Sequence, residues 1–279
     1  MGLNEIKAAL KKYDVRPSKR LGQSFLIDAN VRDKILSAVD VTKSDTILEI
    51  GPGLGALTEG LSGASGRVIA IEKDKRLCEF LRKNRRRPNL EIVNADILDY
   101  LDTINIPDKK IKVIGNLPYY ITSPIITGLL KKRRSFSHIF VTVQNEFADR
   151  LVAPPGGKEY GSISCFARFY ADARVLFRIK RTCFYPAPKV DSSFVRLAVR
   201  KDGLYLTDEE KLFKIIRTSF GKRRKTMLNS LKSCDLFLSP KDLREALGRA
   251  GILHDRRPET VFLEEFIRLT KEADRDRRE

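Results

Sequence analysis

Metal and disulfide chemistry have little to work with in this sequence. Its 279 residues include only four cysteines and two histidines. Cys78, Cys165, Cys183 and Cys234 are scattered and form no CxxC pair, and His138 and His254 add too little for a metal cage. All four cysteines read as reduced packing residues. Long apolar runs are also missing: nothing approaches the roughly 18 residues of a membrane span. Met1 to Lys12 is amphipathic and charged, without the apolar segment of a secretory signal. A cytoplasmic protein is the expectation. No internal repeat or low-complexity tract is present. Acidic residues are scarce, 36 against 54 Lys and Arg, for a formal charge of +18 and a pI near 9.8. That balance favours a polyanionic partner over a merely soluble basic protein. No basic amphipathic anchor argues for a membrane surface.

The 42% hydrophobic content supports one core of ordinary size and a smaller second domain. After a basic lead from Lys11 to Arg20, Asp28-Ala29-Asn30 can cap a helix running to about Val39. Strands are then expected at Thr46–Ile50, Arg67–Ile71, Leu90–Val93, Ile111–Ile114 and Ser137–Val143. Helical patterns lie between them, at Lys75–Arg86 and Ser123–Lys131 for example. This alternation predicts an α/β fold, a doubly wound Rossmann-like sheet with its ligand beyond the strands' carboxyl ends. Ser162–Tyr170, Val175–Lys180 and Ser193–Val199 read as further strands. Asp208–Ser219, Lys222–Leu231, Pro240–Arg249 and Pro258–Lys271 read as helices. The expected division is a ligand-binding domain over residues 1–201 and a small helical domain over 202–279.

Glu49-Ile50-Gly51-Pro52-Gly53-Leu54-Gly55 closes the first strand of the sheet. Its glycines allow a tight turn and close approach to a ligand, although the spacing departs from a dinucleotide fingerprint. Glu72, about 20 residues on, can accept both hydroxyls of a ribose. Asp96 follows the third strand, where it can accept from an adenine amine or cap the next turn. NAD would need a pyrophosphate at the turn and a hydride acceptor elsewhere, and no catalytic His or Tyr/Lys pair is evident. S-adenosylmethionine fits better. It needs an acid for its ribose, an acid or amide for its adenine and an open turn for its amino-acid tail.

Asn116-Leu117-Pro118-Tyr119 follows the strand Ile111–Gly115. A nucleobase amine is a poor nucleophile, because its lone pair is delocalised into the ring. The Asn116 side-chain oxygen and a backbone carbonyl, that of Leu117, can accept from the amine and favour a pyramidal nitrogen. In-line positioning then supplies most of the acceleration. Tyr119 offers a stacking face worth roughly 1–3 kcal/mol per base. Phe184, with Tyr185 second, is the candidate for the other face of the base.

Arg20–Asp28, Glu49–Gly55, Ile71–Asp74, Asn94–Leu98, Asn116–Tyr119, Val143–Leu151 and Phe184–Ser193 together resemble the ribosomal RNA adenine dimethyltransferase family, KsgA type. The likeness spans nearly the whole chain. It implies S-adenosylmethionine as donor, S-adenosylhomocysteine as product and no metal. It implies dimethylation at N6 of two neighbouring adenosines near the 3′ end of small-subunit rRNA, with a role in small-subunit assembly. By motif position, Gln23, Ser24 and Leu26 would line the methionine end with Gly51 and Gly53. Glu72 would hold the ribose, Asp96 and Ile97 the adenine, Asn116 the target amine, and Tyr119 and Phe184 its base. Ser24 departs from the family's usual Asn or His.

Lys131–Arg134 and Lys222–Lys225 are the densest basic runs. Arg217, Lys222, Arg223, Arg224 and Lys225 are the candidate phosphate contacts, because Arg223–Thr226 belongs to the family likeness. The expected partner is small-subunit rRNA, within the small ribosomal subunit or an assembly intermediate, met by a monomer. Rival readings are a large-subunit rRNA methyltransferase, a non-catalytic ribosome-assembly factor and a DNA amine methyltransferase.

Overall fold

The computed structural model describes residues 2–18, 22–104, 111–200 and 208–275. The chain divides into two compact units, Met1–Ala148 with Asp172–Lys201, and Asp149–Ala171 with Asp202–Glu279. Residues 201–207, around the expected domain boundary, lie outside the described residues.

Helix α1 (Leu3–Lys12) opens the first unit, followed by a two-residue strand, β1 (Phe25–Leu26), and α2 (Ala29–Val39), which Asp28 caps by accepting from the Val31 amide. The alternation then runs β2 (Thr46–Ile50), α3 (Thr58–Ala64), β3 (Arg67–Glu72), α4 (Lys75–Asn84), β4 (Leu90–Asn94), α5 (Ile97–Thr103), β5 (Ile111–Asn116), α6 (Thr122–Lys131) and β6 (Phe136–Gln144). Helix α7 (Asn145–Val152) carries the unit boundary, and α8 (Ser162–Tyr170) lies in the second unit. Strands β7 (Ala171–Ile179), β8 (Phe184–Tyr185) and β9 (Ser192–Val199) return to the first. The seven-stranded sheet has the order β4-β3-β2-β5-β6-β9-β7. Strands β2 to β6 pair in parallel, and β9 is antiparallel to β6. Strands β2, β3 and β6 are nearly continuous apolar runs, as a sheet covered on both faces requires. The order reverses between β2 and β5, and such a switch point opens a crevice at the strands' carboxyl ends.

The second unit contains α8, α9 (Glu209–Gly221), α10 (Met227–Leu231), α11 (Pro240–Arg249) and α12 (Leu263–Arg275). Its core includes an aromatic cluster in which Phe166, Phe169, Tyr170 and Phe213 have ring centroids 4.8–5.7 Å apart. The strand expected at Ser162–Tyr170 is therefore a helix. Its β-favouring residues obey a helical spacing, with Ile163, Phe166, Ala167 and Tyr170 all buried. The helix expected over Lys222–Leu231 starts only at Met227, because Thr226 caps it and Lys222–Lys225 forms the preceding turn.

Gly115 sits where β5 passes β2. An added Cβ there would lie 2.9 Å from the Ile50 carbonyl oxygen and 3.0 Å from the Ile50 Cβ. Gly115→Ala is therefore expected to destabilise the protein by about 1–3 kcal/mol through overpacking. A thermal midpoint equal to that of the parent protein would contradict this packing.

Candidate active site

A cleft of about 1260 Å³, its open mouth included, lies at the carboxyl ends of β4, β3, β2 and β5. Its lining includes Gln23, Ser24, Leu26, Gly51, Gly53, Glu72, Asp96, Ile97, Asn116 and Phe184. Residues distant in sequence thus meet in one cavity, each carried there by the end of a strand or by the segment beside it.

The turn after β2 is built from residues in the left-handed region: Gly51 at φ +63°, Gly53 at +60° and Gly55 at +78°. Only glycine adopts these angles without strain. The Gly53 position is also pressed against the Phe25 ring, 3.1 Å from where a Cβ would stand. The Gly53 amide donates to Glu72 Oε2 at 3.1 Å, and the Asp74 amide to Glu72 Oε1 at 2.9 Å. Burial pushes the Glu72 carboxyl up, and these backbone donors oppose the shift. Asp96 caps α5 through the Leu98 amide and pairs with Lys73 at 2.6 Å. The Lys73 ammonium holds the Asp96 carboxyl below its usual range. Capping and ligand contact are thus compatible roles for one carboxylate.

Asn116 ends β5 and donates its Nδ2 to the Ser24 carbonyl at 2.9 Å. The Asn116 Oδ1 accepts nothing among the described residues. Leu117 is buried and its amide is bound to the Thr142 carbonyl, while the adjacent Pro118 carbonyl already accepts from Thr122 Oγ1 and the Ile121 amide. Tyr119 stands outside the cleft lining, half-buried, with its hydroxyl 2.8 Å from Ser192 Oγ. Burial raises its phenol pKa. Tyr120, its neighbour, is the tyrosine that lines the cleft, and it is 54% exposed.

The N-terminal motif is tied to the rest through β1. Phe25 and Leu26 pair with Tyr185 and Phe184 in a small antiparallel sheet. Ser24 Oγ donates to the Pro186 carbonyl at 2.7 Å, and Gln23 Nε2 to Asp74 Oδ2 at 3.2 Å. Alternation along β8 sends Phe184 into the cleft wall and Tyr185 toward the Lys7 ammonium, 5.4 Å from the ring.

Glu49, which opens the glycine motif, lines the cleft and is 2% exposed. Its Oε2 has no hydrogen-bond partner among the described residues. Burial pushes its carboxyl up to about 8. The Thr58 hydroxyl eases that shift without a bond of good geometry, and Glu72 adds to it. Two buried carboxyls therefore share the cleft floor, Glu49 held protonated by its burial and Glu72 bound by backbone amides.

Arg217, Lys222, Arg223, Arg224 and Lys225 all lie in the second unit, around the end of α9. Lys222 Nζ donates to Ser233 Oγ at 3.0 Å. Arg223 is half-buried, donates to the Gly157 and Lys158 carbonyls and lies 3.8 Å from Glu259. Arg217, Arg224 and Lys225 are exposed and make no side-chain hydrogen bond or ion pair among the described residues. No group of three or more His, Cys, Asp or Glu able to hold a metal occurs among the described residues, and no described helix is long and apolar enough to cross a membrane.

A family model for ribosomal RNA adenine dimethylase matches residues 16–275. A relative from Clostridioides difficile, ribosomal RNA small subunit methyltransferase A, is 42% identical over 273 residues, covering 96% of this chain and 94% of its own. The fold is similar to a dimethyladenosine transferase from Plasmodium falciparum, with TM-score 0.79 and 26% identity over 90% of this chain and 98% of that one. It is also similar to the 23S rRNA methyltransferase ErmE, with TM-score 0.68 and 26% identity over 90% and 99% of the two chains.

Glu49 offers a direct test of the cleft's electrostatics. Its carboxyl stays protonated in the folded protein up to about pH 8 but ionises near 4.5 in the unfolded chain. The folded state then binds more protons between those values, so this residue's contribution to stability falls as pH rises through that window. Glu49→Gln removes the dependence. Its thermal midpoint relative to the parent protein is expected to rise by several degrees from pH 5 to pH 8. A constant difference across that range would show that Glu49 ionises normally.

Proposed function

The chain belongs to the ribosomal RNA adenine dimethylase family, and from that membership we propose that it is an rRNA adenine N6,N6-dimethyltransferase. It methylates two adjacent adenosines near the 3′ end of small-subunit rRNA, using S-adenosylmethionine and releasing S-adenosylhomocysteine. It thereby takes part in small-subunit biogenesis. The observation that carries the reading is the placement of Asn116 on the same cleft as Glu72 and the glycine turn. The small-subunit branch is supported by the name of the relative that is 42% identical, and the ErmE-like fold has the lower TM-score of the two structures compared.

The residues fit this cofactor. The left-handed glycine turn leaves room for an amino-acid tail, Glu72 presents a carboxylate for ribose hydroxyls, and Asp96 beside Ile97 forms an adenine site. Gln23, Ser24 and Leu26 close the methionine end. The orphaned Glu49 oxygen adds a buried acceptor on the cleft floor. When bound, S-adenosylmethionine supplies a methyl group on a cationic sulfur.

Asn116 Oδ1 and the Leu117 carbonyl accept from the target amine and expose its lone pair. Positioning and these preorganised acceptors supply the rate, with no strong base required. Phe184 and Tyr119 confine the base, and the target adenosine must leave its stack to reach them. The helical unit supplies phosphate contacts through Arg217, Arg224 and Lys225, while Lys222 and Arg223 hold the turn that presents them. We place the enzyme in the cytoplasm, as a monomer acting on the small subunit or its assembly intermediate.

Asn116→Ala should lower methyl transfer to unmethylated small subunits by about 10²–10³-fold, the usual cost of losing one preorganised transition-state contact. Cofactor affinity should change only a few-fold. Transfer from labelled donor at the parent rate would overturn the assignment. Charge reversal at Arg224 and Lys225 should weaken subunit binding and flatten its salt dependence by about 1–2 in the log–log slope. Arg223→Ala should instead lower the thermal midpoint. The reverse pattern would mean that Arg223 is the phosphate contact.

A further inference from the structure

The first unit has a second basic feature that the family motifs do not include. At the carboxyl end of α4, Arg82, Arg85, Arg86 and Arg87 line an open cavity of about 630 Å³ floored by Pro88, Leu90 and Ile92. No carboxylate lines it among the described residues. Only part of this charge has work inside the protein. Arg82 donates to the Ile92 carbonyl at 3.0 Å, and Arg85 lies 3.9 Å from Glu59, with its Nε buried and unpartnered. Arg86 reaches the Arg82 carbonyl at 3.4 Å, and the Arg87 side chain makes no hydrogen bond or ion pair among the described residues, its carbonyl alone accepting from the Leu90 amide. The basic surface continues onto α1. Tyr13 packs edge-on against Phe80 and accepts from Asn84, and the ammonium groups of Lys12 and Lys83 each lie 5.8 Å from its ring centroid.

A helix C-terminus carries roughly half a negative charge, which one or two cations offset. Four guanidiniums and two ammonium groups exceed that need, and their mutual repulsion is tolerable only where an external anion or salt neutralises them. Among the acids nearby, Glu91 pairs with Arg67 at 2.7 Å and Asp14 with Arg76 at 3.6 Å, which leaves Glu79, one turn back on α4 and exposed, as a single acid beside six cations. Guanidinium forks match phosphate oxygens in pairs. The spread of the cluster over an open, partly apolar floor fits a run of sugar-phosphate units better than one small anion.

We propose that the arginine-lined cavity at the end of α4, with Lys12, Tyr13 and Lys83 beside it, is a second RNA contact that grips the substrate's phosphate backbone away from the target base. This rests on the reading of the substrate as RNA and adds a surface to it. It divides the phosphate contacts between the two units, so that the catalytic unit holds RNA in its own right.

The test uses the full chain carrying Arg86→Glu and Arg87→Glu, and separately Arg86→Lys and Arg87→Lys. Binding to unmethylated small subunits and to protein-free small-subunit rRNA is measured across a salt series, with S-adenosylmethionine affinity as the control for folding. The charge-reversed protein should bind both RNAs about tenfold or more weakly, with a log–log salt slope smaller by about 1–2. The lysine protein should keep the slope, and both should bind the cofactor as the parent does. Unchanged RNA affinity and slope would overturn the proposal. Loss on subunits with none on protein-free rRNA would also overturn it, assigning the patch to an acidic ribosomal protein. If the parent protein binds RNA through this patch but transfers no methyl group, the enzymatic reading fails and this inference survives.

Discussion

The hydrogen bond from the Asn116 amide to the Ser24 carbonyl decides what the cleft can do. A carboxamide has a donor end and an acceptor end. Committing the donor to a backbone carbonyl at 2.9 Å leaves the acceptor for the ligand side. The same bond anchors Gln23–Leu26 over the end of β5. From there β1 pairs with β8 and sets Phe184 in the cleft wall. Three segments separated by up to about 160 residues are thus positioned through one side chain and a two-residue strand pair. None of them could hold its place alone, since an isolated two-stranded pair is marginal in water.

The electrostatics of the floor follow from the same arrangement. Glu72 is tolerable as a buried acid because two backbone amides, those of Gly53 and Asp74, are aimed at it. Glu49 lacks such support and stays protonated to about pH 8. A pocket meant for a pyrophosphate would place amides or cations where these acids stand. Two buried acceptor carboxyls therefore discriminate against the dinucleotide alternative more strongly than the glycine spacing does.

Much of this was legible in the sequence because strand ends punctuate it. Largely apolar runs at Thr46–Ile50, Arg67–Ile71 and Ile111–Gly115 locate the sheet, and residues at or just past each run's end become cleft residues by topology alone. The failures share a different cause. Ser162–Tyr170 is rich in aromatic residues because it feeds an aromatic core with Phe213, and that composition masks its helical period. Glu49 was underrated because a side chain inside a glycine motif is easily taken for spacing. Its burial depends on β3 and α3, which local sequence does not display. Tyr119 and Tyr120 are adjacent and chemically alike, so only the one-turn helix at Tyr119–Ile121 settles which of them lines the cleft.

The basic runs show most clearly where sequence reading ends. Lys222, Arg223, Arg224 and Lys225 are interchangeable as a string of charges, yet Arg223 is bound to two carbonyls while Arg224 faces water. A guanidinium already donating to the protein loses those bonds if it turns to a phosphate, so its net gain from RNA is small. One held only by water gives up a weaker interaction and releases a condensed counterion from the RNA besides. Availability, rather than local charge density, therefore decides which cations can bind RNA. By that criterion Arg87, in a run that carries no family motif, is as well placed as Arg224, in one that does.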